Sequence, residues 1–328
     1  MSFNIRTFSG TGKEGSKIGW FKRLRIKESP DIVLLQETKC NSVNNSWIEQ
    51  IWGSPNFKFI QKPKVGKSGG MLIIWDPTRF DVNEAVEKHN LLAIKGKWTG
   101  KDRESIVVNV YGPHTDEEKK KMWVSLEQLM QYSNEVEWVL GGDFNEVRYQ
   151  EERKNCKFIE SRAKLFNSFI ENSQLIEIPL LGKRFTRISD NGTKFSKLDR
   201  FLVNDLFLQT WGDVAAIALD RGTSDHSPIV IRVSDVDFGP KLFKLFDLWL
   251  ESKEVEKIVI DAWNSEVFGF KEDCRFRDKL KRVKEALRIW SKSKYGALDR
   301  EIESLKTETM LLEEKADSGN LSEVEKEN

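Results

Sequence analysis

The apolar run Trp138–Leu140 leads directly into Gly141–Gly142, Asp143 and Asn145, so a buried segment ends in two glycines, a carboxylate and a carboxamide. Continuous apolar runs of this kind read as strands covered on both faces. Paired glycines let another group come close to the backbone. The i, i+2 spacing puts Asp143 and Asn145 on one side if the strand continues. Other strings along the chain repeat the arrangement. Asn4 lies in SFNIR, Glu37 follows Ile32–Leu35 in DIVLLQETK, Asp199 lies in SKLDRF, and Asp225–His226 precede Pro228 and the run Ile229–Val233. A carboxylate just beyond a buried run must be paired, solvated or metal-bound. Taken singly, such a Glu is normally a cap or surface group, GGD a turn, SDH an N-cap, and Asn4 uninformative. Together they point to one cleft where hard oxygen donors surround an imidazole, a set suited to a divalent cation acting on phosphate esters. The pattern predicts a metal-dependent phosphodiesterase.

Strand and helix periods alternate up to about Val233. Strands are predicted at Phe57–Gln61, Met71–Trp75, Leu91–Trp98, Ser105–Val110, Val136–Leu140 and Ile229–Val233. Helices are predicted at Ser16–Glu28, Glu117–Tyr132 and Arg162–Asn172. Trp123, Leu126 and Met130 form the apolar stripe of the second. The segment Gly182–Asp199 carries Lys183, Arg184, Arg187, Lys194 and Lys197 around Asp190–Asn191–Gly192, a hairpin signal. It is either a solvated turn or a contact to a nucleic-acid backbone. Beyond Val233 strand signal fades. Residues 275–294 hold nine basic and two acidic side chains, and residues 299–328 four and ten. A basic helix followed by an acidic one beyond Gly296 predicts a helical hairpin, or packing against another part. The division expected is 1–235 and a helical tail, 236–328.

In order, SFNIR, DIVLLQETK, SGGMLIIWD, VNVYGP, VLGGDFNEV, GKRFTR, SKLDRFLV and SDHSPIVI resemble the endonuclease/exonuclease/phosphatase superfamily, which includes DNase I and the apurinic/apyrimidinic repair endonucleases. Within it the chain is most similar to the endonuclease domain of plant LINE-type non-LTR retrotransposons, and it ends before any polymerase motif. The tail resembles the linker of such polyproteins. The resemblance implies a four-layer α/β sandwich, two β-sheets face to face with helices outside, and a DNA-nicking activity. It implies Glu37 as principal Mg²⁺ ligand with Asn4 and Asp225, Mn²⁺ substituting. Asp143 orients or deprotonates water, and Asn145 supports that carboxylate. His226, held by Asp199, contacts the phosphate or moves a proton, and Tyr111 of VYGP faces the scissile phosphate. The chain departs from the family at Phe3, Thr7 and Arg187, where Trp, Gly and Trp are common. Only Met1–Phe3 precede Asn4, which predicts a shortened edge strand. Two other readings stay open: the same fold acting on inositol phosphate, sphingomyelin or poly(A), and a non-catalytic nucleic-acid-binding remnant.

A net charge of +1 gives no global nucleic-acid signature, so any basic footprint must be local. Cys40, Cys156 and Cys274 are widely spaced, without a CxxC or a His pair, which suggests reduced thiols in an intracellular, nuclear or cytoplasmic protein. There is no signal segment and no membrane-length apolar run, so the expectation is a soluble protein with no cofactor beyond the metal. Trp75, Trp98, Trp123 and Trp138 read as core, and surface or helix–core contact is the default for Trp20, Trp47 and Trp52. His89 reads as a surface turn residue and His114 as a loop residue beside Tyr111.

Overall fold

In the computed structural model, which describes residues 1–7, 14–65, 68–131, 135–212, 214–222, 224–233, 249, 252–265 and 272–318, the chain divides into two compact units, Met1–Val236 and Asp237–Asn328. Strand β2 (Ile32–Gln36) is buried along its whole length. Its alternation sends Ile32 and Leu34 into one apolar cluster and Val33 and Leu35 into another. It lies in a seven-stranded sheet ordered β11 (Leu180–Leu181), β15 (Val214–Ala218), β16 (Ile229–Val233), β1 (Ser2–Asn4), β2, β4 (Ser68–Trp75), β3 (Lys58–Val65). A six-stranded sheet runs β10 (Ile176–Glu177), β14 (Asp199–Val203), β8 (Glu137–Asp143), β7 (Glu104–Tyr111), β6 (Leu91–Trp98), β5 (Phe80–Lys88).

Three apolar layers follow from this. Between the sheets, Leu34 and Ile73 of one meet Ile94, Val139 and Phe201 of the other. Outside the first sheet, Val33, Leu35 and Ile74 pack on Phe21 of α1 (Glu14–Glu28) and on Ile48, Ile51 and Trp52 of α2 (Asn45–Trp52). Outside the second, Val108 and Leu140 pack on Trp123 of α3 (Asp116–Gln131) and Phe166 and Phe169 of α4 (Glu160–Asn172). Tyr132, the expected end of α3, lies outside the described residues. Trp123 stacks on Phe144, Phe166 and Phe169 at centroid distances of 6.3, 4.9 and 4.8 Å. The result is helices, sheet, sheet, helices, the four-layer sandwich expected from the sequence.

Strand β1 is not an edge. It pairs in parallel with β2 and antiparallel with β16, so Asn4 is 1% exposed despite the shortness of the strand. A third, three-stranded ribbon, β12 (Arg187–Ile188), β13 (Phe195–Ser196) and β9 (Arg153–Lys154), contains the expected hairpin. Helix α5 (Asp205–Trp211) belongs to the first unit; in the second, α6 (Lys253–Asn264) packs on α7 (Glu272–Ser318) through Val255, Leu287 and Trp290, with Trp249 in the same cluster. Helix α7 runs straight through Gly296, so the basic and acidic blocks are collinear as far as Ser318 and form no hairpin. A single interior glycine costs only about 1 kcal/mol, and no proline interrupts the run. Among the described residues Cys40 and Cys156 form no disulfide. Among the described residues no helix is long and apolar enough to cross a membrane.

Candidate active site

Sheet register assembles the site. Tyr111 is opposite Asp143 in the parallel β7–β8 pair, and Asp199 is opposite Asp143 in the antiparallel β8–β14 pair. Residues in one cross-strand row share a face, so Tyr111, Asp143 and Asp199 are delivered side by side. In the other sheet Asn4 pairs with Gln36, which places Glu37 one residue beyond the ladder. Asp225–His226 arrive on the connection into β16, and Ser224 Oγ donates to the Asn4 carbonyl at 2.9 Å.

Two hydrogen-bonded groups result. In the first, Asn4 Nδ2 donates to Asp143 Oδ2 at 2.9 Å and to Glu37 Oε1 at 3.3 Å, while Asn4 Oδ1 accepts the Arg6 N–H. Tyr111 donates its hydroxyl to Glu37 Oε1 at 2.8 Å, and Lys39 Nζ lies 3.5 Å from Glu37 Oε2. Burial opposes the charged form of Glu37, but Tyr111, Asn4 and Lys39 outweigh it and hold the pKa below the ordinary carboxylate value. The Tyr111 phenol moves up, through burial first and then the Glu37 charge.

In the second group, His226 Nδ1 sits 2.8 Å from Asp199 Oδ2, and its Nε2 lies 3.8 Å from Asp143 Oδ2. Burial alone would favour neutral imidazole. The Asp199 and Asp143 charges overcome it and lift the His226 pKa to about 9. Asp143, also buried, is pushed up by desolvation against the pull of His226. Asp143, Asp199 and His226 each offer an atom within 4.8 Å of the others, a candidate metal site of acidic and imidazole donors. The Asp199 Oδ1 atom is buried and accepts no hydrogen bond among the described residues, and Asp225 Oδ1 has the Arg6 guanidinium at 3.5 Å, so hard oxygen donors of the kind a divalent cation takes stand beside His226. His226 ligates a metal only as neutral imidazole, while Glu37 offers a carboxylate on the other side of Asp143.

The strand does not continue past Asp143. Asn145 adopts φ 49°, its N–H donates to Asp143 Oδ1 at 2.9 Å, and its side-chain amide donates to the Gly112 carbonyl at 2.7 Å. Asn145 therefore holds Asp143 through the backbone, not by strand alternation. Arg6, Glu37 and Lys39 are also left-handed, at φ 62°, 51° and 54°, each costing of order 1 kcal/mol. Gly142 is required by crowding, since a Cβ there would stand 1.9 Å from the Val110 carbonyl oxygen.

Asp225 is turned toward cations. Its Oδ2 accepts from Arg187 Nε at 3.1 Å, and its Oδ1 is 3.5 Å from Arg6 Nη1, which also binds Asp190 at 2.6 Å. The five cations of the hairpin segment separate. Lys183 approaches Asp220, Arg184 donates to the Glu151 carbonyl, and Lys194 is exposed. Lys197 points into a charge network instead, 2.6 Å from Glu177. His89 and His114 are exposed.

Several supporting residues were not singled out by sequence. Thr186 donates to Asp199 Oδ2 at 2.7 Å while its oxygen receives the Leu198 and Asp199 N–H groups. It stands one residue before Arg187 in GKRFTR. Gln36 donates to Asn109 at 2.6 Å, tying the two sheets behind the site. Lys119 reaches the Asn145 carbonyl and the buried Glu146 carboxylate. Arg200, 0% exposed, binds Glu152 and Glu177 and the carbonyls of Glu146 and Lys197. These cations brace the loop that carries Asn145.

In two packed mixed sheets, the ends of interior strands thus converge on carboxylates, an imidazole and a tyrosine. The model of the Endonuclease/Exonuclease/phosphatase family matches residues 1–226, and the chain belongs to that family. An AP endonuclease from Leishmania major is similar in structure at a TM-score of 0.55 and 16% identity, covering 70% of this chain and 85% of its own. A 3′ phosphatase from Neisseria, solved with a product DNA hairpin, gives 0.52 and 17%, covering 71% and 98%. A mannosyl-6-phosphatase from Bacteroides thetaiotaomicron gives 0.51 and 14%, covering 70% and 97%. At these identities the likeness is one of fold. No curated protein matches the chain.

Proposed function

We propose that residues 1–235 form a divalent-cation-dependent phosphodiesterase that nicks DNA, with Mg²⁺ as its metal. The observation that carries this reading is the linked set Glu37–Asn4–Asp143, with His226 and Asp199 on its far side. It sets a cation-binding carboxylate, a water-directing carboxylate and an imidazolium around one point. Glu37 would hold the metal, with Asp225 and the Asn4 amide oxygen, which also takes the Arg6 N–H, adjacent. When bound, Mg²⁺ supplies positive charge against the charge that builds on the phosphoryl and leaving oxygens.

The protein's own groups do the rest. Asp143, kept in place by the Asn4 amide and the Asn145 N–H, orients the attacking water and receives its proton. His226 offers Nε2–H to a phosphoryl oxygen while Asp199 fixes its Nδ1 side. The Tyr111 hydroxyl holds Glu37 and points the same row toward the phosphate. DNA as substrate is supported by the motif resemblance to LINE-type endonucleases and by Arg6, Arg187 and Lys194 around the mouth, and we extend the proposal to a retrotransposon origin. The test is nicking of supercoiled plasmid with and without Mg²⁺, run beside inositol phosphate and poly(A). Metal-dependent nicking with no turnover of the other two is expected. Preferential turnover of inositol phosphate or poly(A) would reject DNA.

A further inference from the structure

Helix α7 sorts its cations by face. Val283, Leu287 and Trp290 pack toward α6, and the cations nearest that side are used within the unit. Lys279 lies over the Trp263 ring at 5.2 Å, Lys294 over Trp290 at 5.1 Å and 2.6 Å from Glu254, and Arg282 donates to Ser265 Oγ at 2.9 Å. Of the six other cations in residues 275–294, Arg275 lies off to one side, and Arg277, Lys281, Lys284, Arg288 and Lys292 form a series spaced i, i+4, i+7, i+11, i+15. At 100° per residue these fall within an arc of about 80°, roughly 130° around the helix from the packed face. No acidic residue between 277 and 292 falls within the arc. Arg277, Lys281, Arg288 and Lys292 are exposed and Lys284 half-buried. The acidic neighbours are distant partners, Asp278 at 3.7 Å from Arg277 and Glu285 at 3.8 Å from Arg288. Exposed pairs of that kind are weak and yield to a phosphate.

We propose that this stripe is a second DNA-binding surface, which grips the phosphate backbone of a duplex without reading its bases. The fit is one of charge and length. The stripe spans about 22 Å at 1.5 Å per residue, over which one strand of duplex DNA presents roughly six phosphates at 3.4 Å each. An anionic membrane is the other surface a basic helix could meet, but that mode inserts an apolar face. Here Val283, Leu287 and Trp290 are covered by α6, and the exposed Phe276 and Leu280 lie on the opposite side of the helix from the exposed Ile289, so no continuous apolar face is open. The proposal rests on the reading of the chain as a DNA-nicking enzyme, and it adds a grip that the catalytic unit does not contain.

The test uses the full chain in EDTA, with anisotropy of a labelled duplex measured across a salt series. In the variant R277Q/K281Q/K284Q/R288Q/K292Q the slope of log K against log salt should shrink by about 0.9 for each phosphate no longer neutralised, with at least two phosphates released in all. Swapping Lys281, Lys284 and Lys292 for Arg should restore the wild-type slope. If the quintuple variant loses helix content by circular dichroism, Lys281→Gln and Lys292→Gln singly should each lower the slope by about 0.9. An unchanged slope overturns the proposal. So does loss of binding to phosphatidylserine vesicles with DNA binding intact. Wild-type protein that binds duplex with the stripe-dependent slope yet nicks no plasmid would reject the catalytic reading and leave this surface standing.

Discussion

Asp199 Oδ2 accepts the Thr186 hydroxyl at 2.7 Å and lies 2.8 Å from His226 Nδ1, so one carboxylate oxygen fixes both the hairpin and the imidazole. The Arg187–His226 bridge and the Ser227 N–H bond to the Thr186 carbonyl close the same loop from the backbone side. His226 is therefore held in one orientation, Nδ1 against Asp199 and Nε2 turned to Asp143.

This geometry makes Asp143 and His226 two halves of one arrangement. Asp143→Ala and His226→Ala should each lower phosphodiester hydrolysis by more than about a hundredfold. The double variant should lose far less than the product of the two, because both serve the same transition state. Losses that multiply fully would show that the two residues act independently.

Glu37 is tied to Tyr111 and Asn4 by its Oε1 atom, while its Oε2 lies 3.5 Å from Lys39 Nζ, a loose pair that a divalent cation would displace. Glu37→Gln keeps the shape and removes the charge. Calorimetric Mg²⁺ affinity should fall at least tenfold and nicking should vanish, with the melting temperature in metal-free buffer little altered. Wild-type nicking by this variant would place the metal elsewhere.

Much of this site was legible because strand ends advertise themselves: an apolar run followed by a bare polar residue marks Glu37, Asp143 and Asp199 without knowledge of partners. What was not legible depends on register or on backbone conformation. Asn145 could be assigned to the Asp143 side only if the strand continued, and its left-handed φ broke that assumption. The first strand reads as an edge because it is short, yet pairing on both sides is a long-range fact that no local window contains. Helix α2 was missed although Asn44 caps Trp47 and Gly53 ends it at φ 82°, since eight residues are too few for a clear stripe. Lys197 and Lys194 look alike in sequence. Only the ladder shows that one faces Glu177 and the other solvent.

The buried network around Arg200 gives the fold an acid limb. Burial disfavours the Glu177 carboxylate, but Arg200, then Lys197 and Arg148, overcome it and depress the pKa to about 2 from an ordinary 4.5. A depressed carboxylate contributes its full stability above about pH 4.5. The contribution fades as pH falls toward 2, where the unfolded chain takes up the proton first. The difference corresponds to roughly 3 kcal/mol. Urea unfolding of the wild type and Glu177→Gln should show a large gap at pH 7 that narrows markedly by pH 3. Parallel pH curves would mean that the ion pairs do not govern acid stability.

Every residue of the proposed site lies before Pro228, within the unit Met1–Val236, and so does every side chain found bracing it. A fragment of residues 1–235 should thus keep the turnover number of the full chain on a short phosphodiester. The fragment lacks the basic stripe of α7, so its salt slope should be shallower, and its duplex affinity should lie furthest below that of the full chain at low salt, the gap narrowing toward physiological salt. Catalysis and affinity then separate: kcat is retained while the fragment's excess KM on plasmid over the full chain shrinks as ionic strength rises. The measurement is nicking by the soluble fragment and the full chain at low and physiological salt, with folding checked by circular dichroism. A folded fragment with no turnover even at low salt would show that the second unit contributes to the chemistry and that the catalytic unit extends beyond residue 235.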